Sequence, residues 1–192
     1  MAKDDIEIEI KISTDKKTFG KVKKYLKAHA KFVFSSKEVD KYYNAPHRDF
    51  LELKHPEEYL RIRIKGGSGA VTYKKVYFND DGWKTHADEY ESKINDTNQL
   101  EKIFSVLNFD NFLTIDKQRE SYEFEDKFEI DLDTVKGLGC FVEIEATKDF
   151  GGRDATYNEI ANFAKKLGLN PKNQDNDGYV LMMMKKKGLA KS

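Results

Sequence analysis

Ile6-Glu7-Ile8-Glu9-Ile10-Lys11-Ile12 alternates without a break between branched apolar side chains and charged ones. Successive side chains of a β-strand point to opposite faces, so this stretch makes a strand with one apolar and one charged face. On a helix the same four isoleucines would split into two pairs on opposite sides of the axis and share no single face. The alternation returns at Glu38–Tyr43, Tyr59–Lys65, Ala70–Phe78, Lys84–Ile94, Leu113–Phe124, Lys127–Asp133 and Cys140–Thr147, which predicts eight strands. Gly66-Gly67-Ser68-Gly69 and Asn79-Asp80-Asp81-Gly82 read as tight turns, so the strands they join are antiparallel hairpins. Trp83, after the second turn, is expected to pack at the hairpin end.

Three segments carry helical spacing instead. Phe19, Val22, Tyr25 and Leu26 form one stripe; Leu100, Ile103, Phe104 and Leu107 form another behind Asp96 or Thr97 as N-cap. The third starts at Thr156, with Glu159 completing a capping box, and runs through Ile160, Phe163 and Leu167 to Gly168. A short Met-rich helix is expected over Tyr179–Met184. The prediction is an α+β fold, a sheet of eight antiparallel strands rolled towards a barrel or tunnel with flanking helices. Residues 1–184 form one domain, and 185–192 are read as a flexible basic tail.

The 192 residues include 34 Lys+Arg and 34 Asp+Glu, for a net charge of +0. Zero net charge argues against a general nucleic-acid binder, which needs a basic excess. No apolar run approaches the ~18 residues that cross a bilayer. A single cysteine, Cys140, and no signal peptide ahead of Asp4-Asp5 lead to an expected cytoplasmic location. A homodimer is left open.

The charges fall in pairs of like sign on strand faces: Glu7 and Glu9, Arg61 and Arg63, Glu89 and Glu91, Lys117 and Arg119, then Glu129, Asp131 and Asp133, and Glu143 and Glu145. Any one of these faces, taken alone, reads as the solvated side of an antiparallel sheet. Together they suggest a lumen, because like charges on one strand repel unless something of opposite sign lies between them. A triphosphate with divalent cations would meet that need.

Glu7-Ile-Glu-Ile-Lys11 resembles the Glu-x-Glu-x-Lys signature that opens the CYTH superfamily, the triphosphate tunnel metalloenzymes. Asp40–Asn44, Leu60–Arg63, Val71–Lys74, Glu89–Glu91, Ile115–Arg119, Leu132–Gly139 and Phe141–Glu145 resemble later motifs of that superfamily, in order. Within it, Leu113–Glu145 and Asp177-Gly-Tyr179 look most like the class IV adenylyl cyclase branch.

The resemblance implies a metal-dependent enzyme that turns ATP into cyclic AMP and pyrophosphate. The alternative is an inorganic tripolyphosphatase or thiamine triphosphatase that releases phosphate, and a non-catalytic nucleotide or polyphosphate binder ranks below both. It implies Mg²⁺ or Mn²⁺, with Glu7, Glu9 and Glu143 as ligands and Glu91, Asp133 and Glu145 as further ligands or their partners. Glu7, Glu9, Lys11 and Glu143 would be catalytic. Lys11, Arg61, Arg63, Lys74, Lys117 and Arg119 would grip the triphosphate, and Asp40 would either orient a basic residue or simply cap a hydrogen-bond network.

Overall fold

The computed structural model describes residues 6–53, 55–66, 68–82 and 84–189. Asp4, Asp5, Gly67, Trp83 and the last three residues of the tail lie outside them. In chain order the elements are β1 (Ile6–Glu7), β2 (Glu9–Thr14), α1 (Lys16–His29), β3 (Lys31–Asn44), β4 (Glu58–Lys65), β5 (Ser68–Phe78) and β6 (Lys84–Ile94). Then follow α2 (Thr97–Val106), β7 (Asp110–Phe124), β8 (Phe128–Val135), β9 (Gly139–Ala146), α3 (Arg153–Lys166), a 3-10 turn at Pro171–Asn173 and α4 (Gly178–Lys187).

All the strands belong to one antiparallel sheet, in the order β1-β6-β5-β4-β3-β7-β8-β9-β2. Its two ends, β1 and β2, are halves of the strand read from Ile6–Ile12. Glu7 pairs with Ala87 on β6, whereas Glu9 pairs with Glu145 on β9. Between them the Ile8 carbonyl still accepts from the Ala146 N–H at 3.1 Å. Counted as one interrupted strand, the first brings the total to eight and rolls the sheet round to meet itself.

The rolled sheet buries the isoleucines of β2, β8 and β9 outward, under helices. Ile10, Ile130 and Ile144 share a core with Val22 and Leu26 of α1 and Ile160 of α3, all at most 1% exposed. α1 begins at Asp15, whose carboxylate accepts from the N–H groups of Lys17 (2.7 Å) and Thr18 (2.9 Å). α3 begins at Arg153, one turn earlier than the expected capping box at Thr156. Gly152 takes the N-cap position with no side-chain cap, and Asp149 orders the loop before it, accepting from the N–H of Gly151 and Gly152 and from the Thr156 hydroxyl. Thr156 itself is buried inside the first turn.

α2 buries no residue fully, so the expectation of three helices covering the outer face holds for two of them. Its Phe104 packs edge-on against Tyr43, and its first residue, Thr97, sits against Gly69. A Cβ on Gly69 would come within 2.0 Å of the Thr97 methyl, so that close approach requires glycine. β3 begins at Lys31, seven residues before the expected Glu38. A register shift between Phe32 and Phe34 interrupts the alternation there while Lys31–Ser36 still pairs with β7.

The Met-rich helix runs to Lys187, into the stretch read as a tail, and lies across one end of the rolled sheet. Tyr179, Val180, Met183 and Met184 pack on Tyr42, Leu113, Ile115, Val135 and Phe141. Among the described residues no helix is long and apolar enough to cross a membrane.

Leu26→Ala should cost about 2–5 kcal/mol, because it opens a cavity between α1 and the sheet. Val106→Ala on α2, where the side chain is 78% exposed, should change stability by no more than about 0.5 kcal/mol. Denaturant titration of both variants checks this; matching midpoints would contradict the packing described.

A candidate active site in the tunnel

The strand faces opposite the isoleucines converge on a cavity of about 610 Å³. Glu7, Glu9, Lys11, Arg61, Arg63, Lys74, Glu91, Lys117, Arg119, Glu143 and Glu145 all line it. The charged faces therefore look into a lumen and not out into solvent. Asp133 does not line the cavity; it lies fully buried behind the wall.

Three carboxylates on three strand segments surround one ammonium. Lys74 Nζ lies 3.2 Å from Glu89 and 3.8 Å from Glu9, and it contacts Glu7 more closely still. Glu9 is also paired with Lys84. Burial pushes the Glu9 carboxyl up, but Lys84, Lys74 and Lys11 outweigh it and hold the group well below the usual carboxylate range. Burial, reinforced by Glu9, raises Glu7 instead.

A second cluster is built on Asp133. Arg119 donates to it twice, Nε to Oδ1 at 2.8 Å and Nη2 to Oδ2 at 2.5 Å, and also contacts Asp131 and Glu143. Lys117 reaches Asp133 at 3.2 Å and Glu38 at 3.4 Å. Lys11 pairs with Glu143 at 2.8 Å. Burial opposes charge on Glu143, yet Lys11, Arg119 and Lys117 keep it well below the usual range. Lys117 is shifted down by burial and by its neighbour Arg119. Burial lifts Asp131 to about 7, with Arg119 pulling the other way, and its Oδ1 has no hydrogen-bond partner.

The arginines of β4 differ in how firmly they are held. Arg63 donates twice to Asp40, at 2.7 and 2.8 Å, so Asp40 orients a basic residue. Among the described residues, Arg61 makes one long hydrogen bond, to Thr72 Oγ1 at 3.4 Å, and meets carboxylates of Asp40, Glu89 and Glu91 at 3.7–3.9 Å. No strong hydrogen bond would have to break for Arg61 to meet an incoming anion.

Glu38 and Lys84 belong to the site although the sequence reading did not place them there, and Glu89, read as the neighbour of Glu91 on a charged face but given no role, belongs to it as well. Glu38 stands two residues before Asp40, so strand spacing could have supplied it. Lys84 is different. Its even number would put it on the face opposite Glu89 and Glu91, but a register shift between Tyr77 and Phe78 of β5 pairs Phe78 with Lys84 and turns it inward.

Among the described residues, no group of three or more His, Cys, Asp or Glu is arranged as it stands to hold a metal ion. The donors are nevertheless all carboxylate oxygens, the kind that Mg²⁺ and Mn²⁺ accept. Glu7, Glu9 and Glu89 already enclose a cationic centre, the Lys74 ammonium. Glu7, Glu9 and Glu89 would suit a divalent cation if that ammonium turned to another anion, whereas Glu143 is tied to Lys11 and Arg119 in the neighbouring cluster.

A Methanocaldococcus jannaschii protein provisionally named an adenylate cyclase is 37% identical over 177 residues, covering 91% of this chain and 97% of its own length. The solved structure of a Pyrococcus horikoshii OT3 protein superposes with a TM-score of 0.80 at 28% identity, over 94% of this chain and 99% of that one. A Hippeastrum protein, first assigned as an adenylyl cyclase and described as having a dominant triphosphatase activity, shares the fold at 13% identity. Its TM-score is 0.65, over 95% of both chains. The sequence pattern of the CYTH domain matches residues 5–179, from the first strand to the start of α4, and the chain belongs to the CYTH domain family.

Proposed function

We propose that the tunnel is a metal-dependent active site for a nucleoside triphosphate, converting ATP to cyclic AMP and pyrophosphate. One observation carries this reading: a carboxylate cage around a cationic centre faces loosely held and paired arginines and lysines across a single cavity. Glu7, Glu9 and Glu143 would hold Mg²⁺ or Mn²⁺, with Glu91 and Glu145 as further ligands. Such a cation, when bound, lowers the pKa of an attacking hydroxyl and offsets charge building up on phosphate oxygens.

The remaining roles fall to the basic side chains. Arg61 offers a planar fork that can take two phosphate oxygens at once. Lys11, Lys74 and Lys84 can exchange carboxylate for phosphate oxygens with little movement, since each already faces the lumen. Arg63, Lys117 and Arg119 are fixed by Asp40 and Asp133 and supply preorganised positive charge to the departing pyrophosphate. Asp133 serves here as the anchor of Lys117 and Arg119, not as a metal ligand. In the cyclase reaction the ribose 3′-oxygen attacks the α-phosphorus, and the bond from that phosphorus to pyrophosphate breaks.

A second reading is cleavage of tripolyphosphate or thiamine triphosphate by water. It is favoured by the charged belt that runs right round the cavity, which would hold a bare triphosphate without help from a nucleoside. The Hippeastrum fold relative points the same way.

Purified protein incubated with ATP, tripolyphosphate and thiamine triphosphate, each with Mg²⁺ or Mn²⁺, separates these chemistries. Cyclic AMP with pyrophosphate is the expected product from ATP. Phosphate without cyclic product would establish the triphosphatase, and tight binding without turnover would leave a binding protein. Glu9→Ala and Glu143→Ala should each lower metal-dependent turnover by about a hundredfold or more while the protein stays folded. Full activity in both variants would remove the metal assignment.

Asp131 makes a separate, pH-dependent contribution. Its carboxyl titrates near 3.8 in an unfolded chain and near 7 in the fold. A raised folded value means that Asp131 stabilises the fold in its protonated form; this contribution is complete below about 4 and lost as the pH rises through about 7. In metal-free buffer the unfolding free energy of the natural protein should therefore fall relative to that of Asp131→Asn across this window. A constant gap between the two from pH 4 to 8 would show that Asp131 does not titrate there.

A further inference from the structure

Tyr179 is the second residue of α4 and 6% exposed, and it reaches out of the helix into the tunnel wall. Its ring lies 4.1 Å from the Lys11 ammonium and 5.5 Å from that of Lys117. Its hydroxyl donates to Asp133 Oδ2 at 3.0 Å. That same carboxylate accepts from Lys117 and twice from Arg119. Three of the basic residues assigned to the triphosphate thus meet on one side chain, two through the ring and one through Asp133.

The chain leading to Tyr179 is fixed from the opposite side. Gln174 bridges to Ile12, and the Asp175 N–H donates to the Lys11 carbonyl at 2.8 Å. Gly178 then adopts φ +63°, a conformation open to glycine, and sends the tyrosine into the lumen. Phe141 packs edge-on against the ring at 4.9 Å between centroids. This placement exceeds what closing the end of the sheet requires, since Val180, Met183 and Met184 already cover the apolar residues there.

We infer that Tyr179 is a positioning residue for the triphosphate grip, holding Lys11 and Lys117 by its ring and the Asp133 anchor of Arg119 by its hydroxyl. The inference rests on the triphosphate reading of the tunnel and extends the site to the C-terminal helix. A cation held over an aromatic face keeps its charge but loses freedom to wander, so the ammonium groups stay aimed at the lumen. The hydroxyl suits its part because burial, reinforced by Glu143 and Asp133, keeps it protonated and able to donate.

Binding of inorganic tripolyphosphate, followed by calorimetry in EDTA so that no turnover intervenes, tests the inference. Tyr179→Leu removes ring and hydroxyl together and should weaken binding about tenfold or more. Tyr179→Phe restores the ring alone and should recover part of that loss, leaving binding about threefold weaker. Met184→Ala, a cavity in the same helix away from the lumen, should lower the melting temperature and leave the affinity unchanged. Equal affinity in Tyr179→Leu and the natural protein, or an equal loss in Met184→Ala, would overturn the positioning role. Should Tyr179→Leu not fold, Tyr179→Phe decides, and unchanged affinity there is the overturning result. Failure of the natural protein to bind tripolyphosphate both in EDTA and with Mg²⁺ present would instead overturn the triphosphate reading itself.

Discussion

Charge removed from water must be matched, and everything inside this tunnel follows from that constraint. Asp40, Asp133, Glu38 and Lys117 are each no more than 3% exposed, a degree of burial that unpaired ions do not tolerate. The fold meets the requirement between strands and not along them. Arg63 finds Asp40 on β3, Arg119 finds Asp133 on β8, and Lys11 finds Glu143 on β9. In each pair the partners stand directly opposite in the strand register. The overall balance of 34 basic and 34 acidic residues has its local counterpart in these pairings.

Because pairing depends on register, the apolar side of the sheet matters to the charged side. A slip of one residue in β2, β8 or β9 would turn that strand's lumen charges into the core beneath α1 and α3. The isoleucines of β2, β8 and β9 lock the register from outside, while the ion pairs lock it from within. The carboxylate cage around Lys74 depends on this most directly. Its three carboxylates come from β1, β2 and β6, which meet where the sheet closes, so the cage exists only when the roll is complete.

The period of two was enough to read the strands, the inward face and most of the lumen, because Ile10 and Lys11 or Ile144 and Glu143 differ so sharply in polarity. It failed wherever the backbone departed from strict pleating. The irregularity at Tyr77/Phe78 turns Lys84 into the cavity against its numerical parity, and the shift near Phe32 hides the first half of β3. At α3, Thr156 and Glu159 mimic a capping box, but the helix starts one turn earlier, at a glycine N-cap that offers no side chain to read. Asp133 shares its strand face with Asp131, and spacing alone does not tell a cavity wall from the layer behind it. Tyr179 left no periodic trace at all, since its part depends on where a C-terminal helix docks.

On the proposed reading, the helix across the end of the sheet also bears on traffic through the site. A passage with a covered end works as a stack: what goes in first comes out last. On the triphosphate reading, whichever end of a substrate reached Tyr179 would have to wait for the remainder to leave the cavity. Depth thereby sets the order of departure, and the deepest fragment is the one best placed to linger and hold the site against the next substrate.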